Sequence, residues 1–92
     1  MAEATRAEIK IYGQVLGVGF RFFLHRKACG DGPVNGWVKN AEDHVEAILE
    51  GDKELLERCI AACRVGPPFA KVTKVDVSWG EPTGEFSRFE VL

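Results

Sequence analysis

The sequence predicts an α+β fold in which two helices cover one face of an antiparallel sheet. Three observations predict it. Segments that alternate polar and apolar residues are interleaved with two segments of helical periodicity. Their order is β-α-β-β-α-β, with one short strand added at the end. The length, 92 residues, fits one small domain that can bury a modest core without metals or disulfides.

The elements follow in order. Glu8-Ile9-Lys10-Ile11-Tyr12-Gly13 alternates and reads as a half-buried strand. Phe20, Phe23, Leu24 and Ala28 recur at helical spacing and predict a helix over about 20–30. Gly30-Asp31-Gly32-Pro33 stops it. Val34 to Asn40 is a second strand, and Val45 to Leu49 follows at hairpin distance. Asp52 is placed to cap a second helix whose apolar stripe is Leu55, Leu56, Cys59, Ile60 and Cys63. Gly66-Pro67-Pro68 ends it. A fourth strand carries Val75, Val77 and Trp79 on one face, and a last strand near 87–91 presents Phe89 and Val91 together. Trp37 and Trp79 read as core residues. This is the split βαβ, or ferredoxin-like, plan. Residues 1–7 read as a flexible N-terminal tail and 8–92 as the single domain.

Composition excludes several classes of function. The chain is 46% hydrophobic and 28% charged, with net charge −2. That balance argues against a broad nucleic-acid footprint. There is no apolar run near the roughly 20 residues that span a bilayer, so no membrane partner is expected. The polar start, Met1 to Arg6, carries no signal-peptide pattern. With three cysteines, Cys29, Cys59 and Cys63, it points to a reducing, cytoplasmic setting. Cys59 and Cys63 share a helix face and read as small core side chains, not as metal ligands. The fold alone decides nothing. An RNA-binding version needs stacking aromatics on its central strands, and the third strand has none. A metal carrier of this plan would need thiols in the first loop, which here holds glycines and an arginine.

The chemistry concentrates in Gly17-Val18-Gly19-Phe20-Arg21. Two glycines at a strand-to-helix junction let successive N–H groups turn toward an anion. The helix start adds its positive dipole end, and Arg21 adds a planar, permanent charge. The Gly-Lys-Ser/Thr ending of a nucleotide P-loop is absent, so the cradle suits a small phosphorylated molecule. A cation at a helix N-terminus opposes the dipole by about 0.3–1 kcal/mol, and a bound anion would offset that. Asn40 ends the second strand. On spacing alone it reads equally as a turn residue and as part of a site. His25 and His44 show no obvious partner and read as exposed polar residues.

These residues resemble the acylphosphatase family. Tyr12 to Arg21 is similar to the family's first signature, and Gly36-Trp37-Val38-Lys39-Asn40 to its second. Gly66-Pro67-Pro68 with Ala70-Lys71-Val72 resembles the segment after its second helix. The resemblance covers the chain from about Glu8 to Leu92. It implies hydrolysis of acyl phosphates, small-molecule carboxyl–phosphate anhydrides, to carboxylate and phosphate. It implies no metal and no cofactor, with inorganic phosphate as product or inhibitor, and nothing in the sequence suggests more than a monomer. The family's catalytic arginine falls on Arg21 and its catalytic asparagine on Asn40. Its phosphate-binding loop falls on Val15, Leu16, Gly17, Val18, Gly19 and Phe20.

Three departures stand beside the match. Leu16 occupies the place of a customary glutamine, and its N–H can still serve the loop. The connection after Asn40 is one residue short and lacks the customary glycine, while the link before Gly36 is about one residue longer. The reshaped turn bears on the water-orienting geometry more than on the cradle. It motivates an alternative: a non-catalytic phosphate-binding or interaction module on the same scaffold. A third possibility is carbamoyl phosphate processing with a partner protein.

Overall fold

The computed structural model describes residues 3–30 and 32–92. The elements run β1 (Ala4–Gln14), α1 (Phe20–Gly30), β2 (Asn35–Asn40), β3 (Val45–Asp52), α2 (Lys53–Val65), β4 (Lys71–Gly80) and β5 (Phe89–Val91). They build one five-stranded sheet in the order β4-β1-β3-β2-β5. Period-two alternation fixes which face of each strand is buried. Ala7, Ile9 and Ile11 of β1 point inward, with Val45, Ala47 and Leu49 of β3 and Val38 of β2. Leu24 and Ala28 of α1 and Leu56, Cys59, Ile60 and Cys63 of α2 close the core from one side. Each fully buried Leu or Ile is worth about 1.5–3 kcal/mol. The Asp52 side chain accepts the Glu54 N–H at 2.9 Å and caps α2 as expected.

The four longer strands pair antiparallel, but β5 lies parallel to β2, so the sheet is mixed. The cause is the loop after β4. It runs from the β4 edge past Glu50 of β3 and Asn35 of β2, so β5 starts at the end where β2 starts. Glu50 anchors this crossing. Its carboxylate accepts from Arg6 Nη1 at 2.7 Å, the Thr83 N–H at 2.8 Å, Thr83 Oγ1 at 3.1 Å and the Gly84 N–H at 3.1 Å. Burial alone would push this carboxyl's pKa up. The N–H of Thr83, the Arg6 guanidinium and the N–H of Gly84 outweigh it and hold the pKa below its ordinary value.

Three sequence expectations are corrected. The flexible tail over 1–7 gives way at Ala4, because 4–7 pair with 49–52 of β3 and Ala7 is fully buried. Met1 and Ala2 lie outside the described residues, as does Asp31 of the helix stop. Trp79 is 43% exposed, since it sits on the edge strand β4, beside α2 but not covered by it. The Lys53 ammonium covers its ring at 5.3 Å. Trp37 is half-buried on the helix-free face, beside Ile48 in the register. Cys59 and Cys63 are buried as expected, whereas Cys29 is exposed.

Candidate functional site

Register brings the sequence-predicted site residues to one end of the sheet. Ile11 of β1 pairs with Val45 of β3, and Val45 pairs with Asn40 of β2. The loop leaving β1 therefore emerges beside the end of β2. Gln14 also pairs with Lys71, so the start of β4 lies at the same end.

The loop between β1 and α1 is pinned at both ends. Val15 and Phe20 are 1% and 2% exposed, while Leu16, Gly17 and Gly19 between them are exposed and Val18 is half-buried. Gly17 and Gly19 have φ of 74° and 80°. A Cβ at either would meet open space, so the need for glycine is conformational, not steric crowding. Alternating left-handed glycines turn neighbouring N–H groups to a common side. The first α1 bond runs from the Phe23 N–H to the Gly19 carbonyl at 3.0 Å. The N–H groups of Phe20, Arg21 and Phe22 thus precede the helical ladder and face out of the helix start. No carboxylate occupies that first turn. The arrangement can hold an anion through main-chain donors.

Arg21 is half-buried, and its Nη1 donates to the main-chain oxygen of Leu92 at 2.8 Å. The Leu92 N–H donates in turn to the Val38 carbonyl at 2.8 Å. The guanidinium is thereby tied to β2, two residues before Asn40. One bond uses one of its five donors, which leaves the planar fork available for a ligand. Leu92 is a tether that sequence reading did not single out. Its position beside Val38 depends on the parallel pairing of β5, which no local signal announces.

Asn40 is exposed and continues the inward row of Gly36 and Val38, so it lies on the helix-covered face with the start of α1. Lys39 faces the other way, toward Glu46. Gly36 sets this strand in place. At φ 136°, a Cβ there would lie 1.8 Å from the Ile48 carbonyl oxygen. Only glycine lets β2 approach β3 so closely.

The turn after Asn40 is closed by the Ala41 N–H bonding the His44 carbonyl at 2.7 Å. The expectation of an exposed, partnerless His44 is corrected. Its side chain is 13% exposed, with Nδ1 2.6 Å from Asp43 Oδ1 and Nε2 2.9 Å from Glu46 Oε1. The ring stacks on Tyr12, centroids 4.9 Å apart. The bonds to Asp43 and then Glu46 raise the His44 pKa above its ordinary value. The Asp43 pKa is lowered, chiefly by the same His44 bond. The alternation of Val45 and Ala47 places Glu46 outward, but nothing in the sequence shows that His44 reaches both carboxylates. His25 is half-buried, with Nε2 3.5 Å from Cys29 Sγ, well away from this turn on α1.

Known proteins resemble this chain in sequence and in fold. The family model described as acylphosphatase matches residues 7–91. An acylphosphatase of Thermococcus kodakarensis is 51% identical over 81 residues, covering 87% of this chain and 88% of that protein. The crystal structure of acylphosphatase from Bacillus subtilis superposes with TM-score 0.90 at 34% identity, covering 96% of this chain and 98% of that one. The structure of full-length HypF in its phosphate- and nucleotide-bound form matches with TM-score 0.90 at 25% identity, covering all of this chain but 12% of that one. The chain belongs to the acylphosphatase family.

Proposed function

We propose that this chain hydrolyses small-molecule acyl phosphates, with the phosphoryl group held by the loop from Val15 to Phe20 and by Arg21, and the attacking water oriented by Asn40. The observation that carries the reading is the register. It sets the left-handed glycine loop, Arg21 and Asn40 at one end and on one face of the sheet.

The chemistry asks little more of the protein. The leaving group is a carboxylate, a weak base that departs without protonation. Water forms the new P–O bond, the anhydride P–O bond breaks, and a phosphoryl oxygen can take the water's proton. Catalysis is then placement and charge stabilisation. The loop N–H groups and the Arg21 fork would bind the phosphoryl oxygens and strengthen that hold as charge develops. The Asn40 amide, with acceptor and donor sites, can orient water without titrating. Leu16, Phe22 and Leu92, exposed at 39%, 61% and 55%, offer apolar surface beside the cradle for the acyl group. No step in this scheme requires a metal or cofactor. We read the protein as a cytoplasmic monomer, on an odd cysteine count with two of the three buried in the core.

Purified protein assayed on an aryl acyl phosphate and on carbamoyl phosphate tests this. Turnover of the first, undiminished by a strong chelator, is the expected result. Phosphate binding without turnover would favour a non-catalytic module. Turnover of carbamoyl phosphate alone would favour carbamoyl phosphate processing with a partner protein.

A further inference from the structure

The residue after the site asparagine's turn is held by more contacts than a surface histidine needs. A neutral imidazole has one donor and one acceptor nitrogen, and ionised carboxylates only accept. The two short His44 bonds, to Asp43 and to Glu46, therefore coexist only when both ring nitrogens carry protons. The charged ring also lies against the Tyr12 face, where a cation is attracted to the π system. The same His44 accepts the Ala41 N–H through its carbonyl, which closes the turn that begins at Asn40.

We propose that His44 is a positioning residue for Asn40: the imidazolium, clamped between Asp43 and Glu46 and stacked on Tyr12, holds the short 41–44 turn, and loss of its proton loosens that turn and lowers kcat while phosphate binding is kept. The proposal rests on the reading of Asn40 as the group that orients water.

The surroundings set the sign. From β1, Tyr12 stacks on the ring and Lys10 pairs in register with Glu46. From β4, Lys74 sits 5.6 Å from the Tyr12 ring and is itself paired to Asp76. From β2, Lys39 approaches Glu46 Oε2 at 4.0 Å. Within the turn stand Asp43 and the exposed Glu42. The three lysines oppose the charge on His44, while the two bonded carboxylates favour it at shorter range. The raised pKa agrees with the carboxylates prevailing. The turn is thus locked below the raised His44 pKa and released as pH rises through it.

The test is the pH dependence of kcat and of inhibition by inorganic phosphate, read beside the NMR titration of His44 in the same protein. In the native chain, kcat should fall by up to about 10²-fold, the scale of a small misplacement of a reacting group, with the midpoint of the His44 titration. His44→Phe, which keeps the stack but has no N–H, should show that low kcat at every pH. Its inhibition constant for phosphate should stay within about twofold of native. Asp43→Asn, at an exposed position, should move the NMR midpoint and the kcat midpoint down together. If His44→Phe does not fold, this paired shift decides, and movement of the NMR midpoint alone overturns the proposal. A low kcat in Asn40→Ala beside a normal, pH-flat kcat in His44→Phe overturns the His44 role alone. A normal kcat in Asn40→Ala overturns the Asn40 reading, and the proposal with it.

Discussion

The two segments that flank the site end of the sheet are built by opposite means. The 15–19 loop is held by main chain: two left-handed glycines, a buried Val15 and a buried Phe20 at its ends. The 41–44 turn has one main-chain bond and is otherwise held by side-chain charge and stacking through His44, Asp43, Glu46 and Tyr12. Main-chain donors do not titrate in the physiological range, whereas an imidazole does. The first segment should keep its shape across pH, and the second should not. The proposed phosphate cradle lies on the first segment, and the second follows Asn40, the residue proposed to orient water.

The largest expected effect belongs to the rigid side. Arg21→Ala should lower kcat/KM by at least about 10²-fold, the scale of one lost preorganised donor. Arg21→Lys should recover little of it, because a point charge cannot replace the fork. Steady-state kinetics on an aryl acyl phosphate checks both, and near-native turnover in either would remove Arg21 from the mechanism. Next comes Gly19→Ala. With open space around the position, the cost is the left-handed backbone, about 1–2 kcal/mol, seen in urea unfolding together with weaker phosphate inhibition. Unchanged stability would mean the loop is less conformationally fixed than its φ of 80° implies.

Stability effects of comparable size separate the two ends of the sheet by pH. Glu50 has a folded pKa below its ordinary value, so its contribution is present above the unfolded pKa and is lost as acid protonates it. His44 has a folded pKa above its ordinary value, so its contribution is full below the unfolded pKa and is lost as pH rises through the folded value. Glu50→Gln should cost about 1–3 kcal/mol at neutral pH, the scale of hydrogen bonds to a charged group, and should flatten the acid limb only. His44→Phe should flatten the alkaline limb only, by an amount too small to unfold the chain. Chemical unfolding across pH checks the pair. A change on the wrong limb in either variant would contradict the assignment.

Much of this was legible in the sequence because the signals were local. Glycines at 17 and 19, the alternation of Ile9 and Ile11, and the helical spacing of Phe20, Leu24 and Ala28 each fix structure within a few residues. The register that joins Asn40 to the β1 loop was not legible, because it depends on how β1, β3 and β2 pack together. The rest depended on contacts distant in sequence. Arg6 meets Glu50 and Thr83 only once β1, β3 and the crossing loop are assembled. Leu92 reaches Arg21 only because β5 returns parallel to β2. His44 read as exposed because its partner ring, Tyr12, lies on another strand. Ala4 to Ala7 read as a tail because Thr5 and Arg6 break the alternation that pairing with β3 nevertheless supports.

The most direct test of the division between a phosphate cradle and a water-orienting turn is the inhibition constant of inorganic phosphate, measured with kcat in native protein, Arg21→Ala and Asn40→Ala. Arg21→Ala should lose phosphate affinity and turnover together, while Asn40→Ala should lose turnover with phosphate affinity intact. Parallel loss of both in Asn40→Ala would place Asn40 in the cradle and contradict the division.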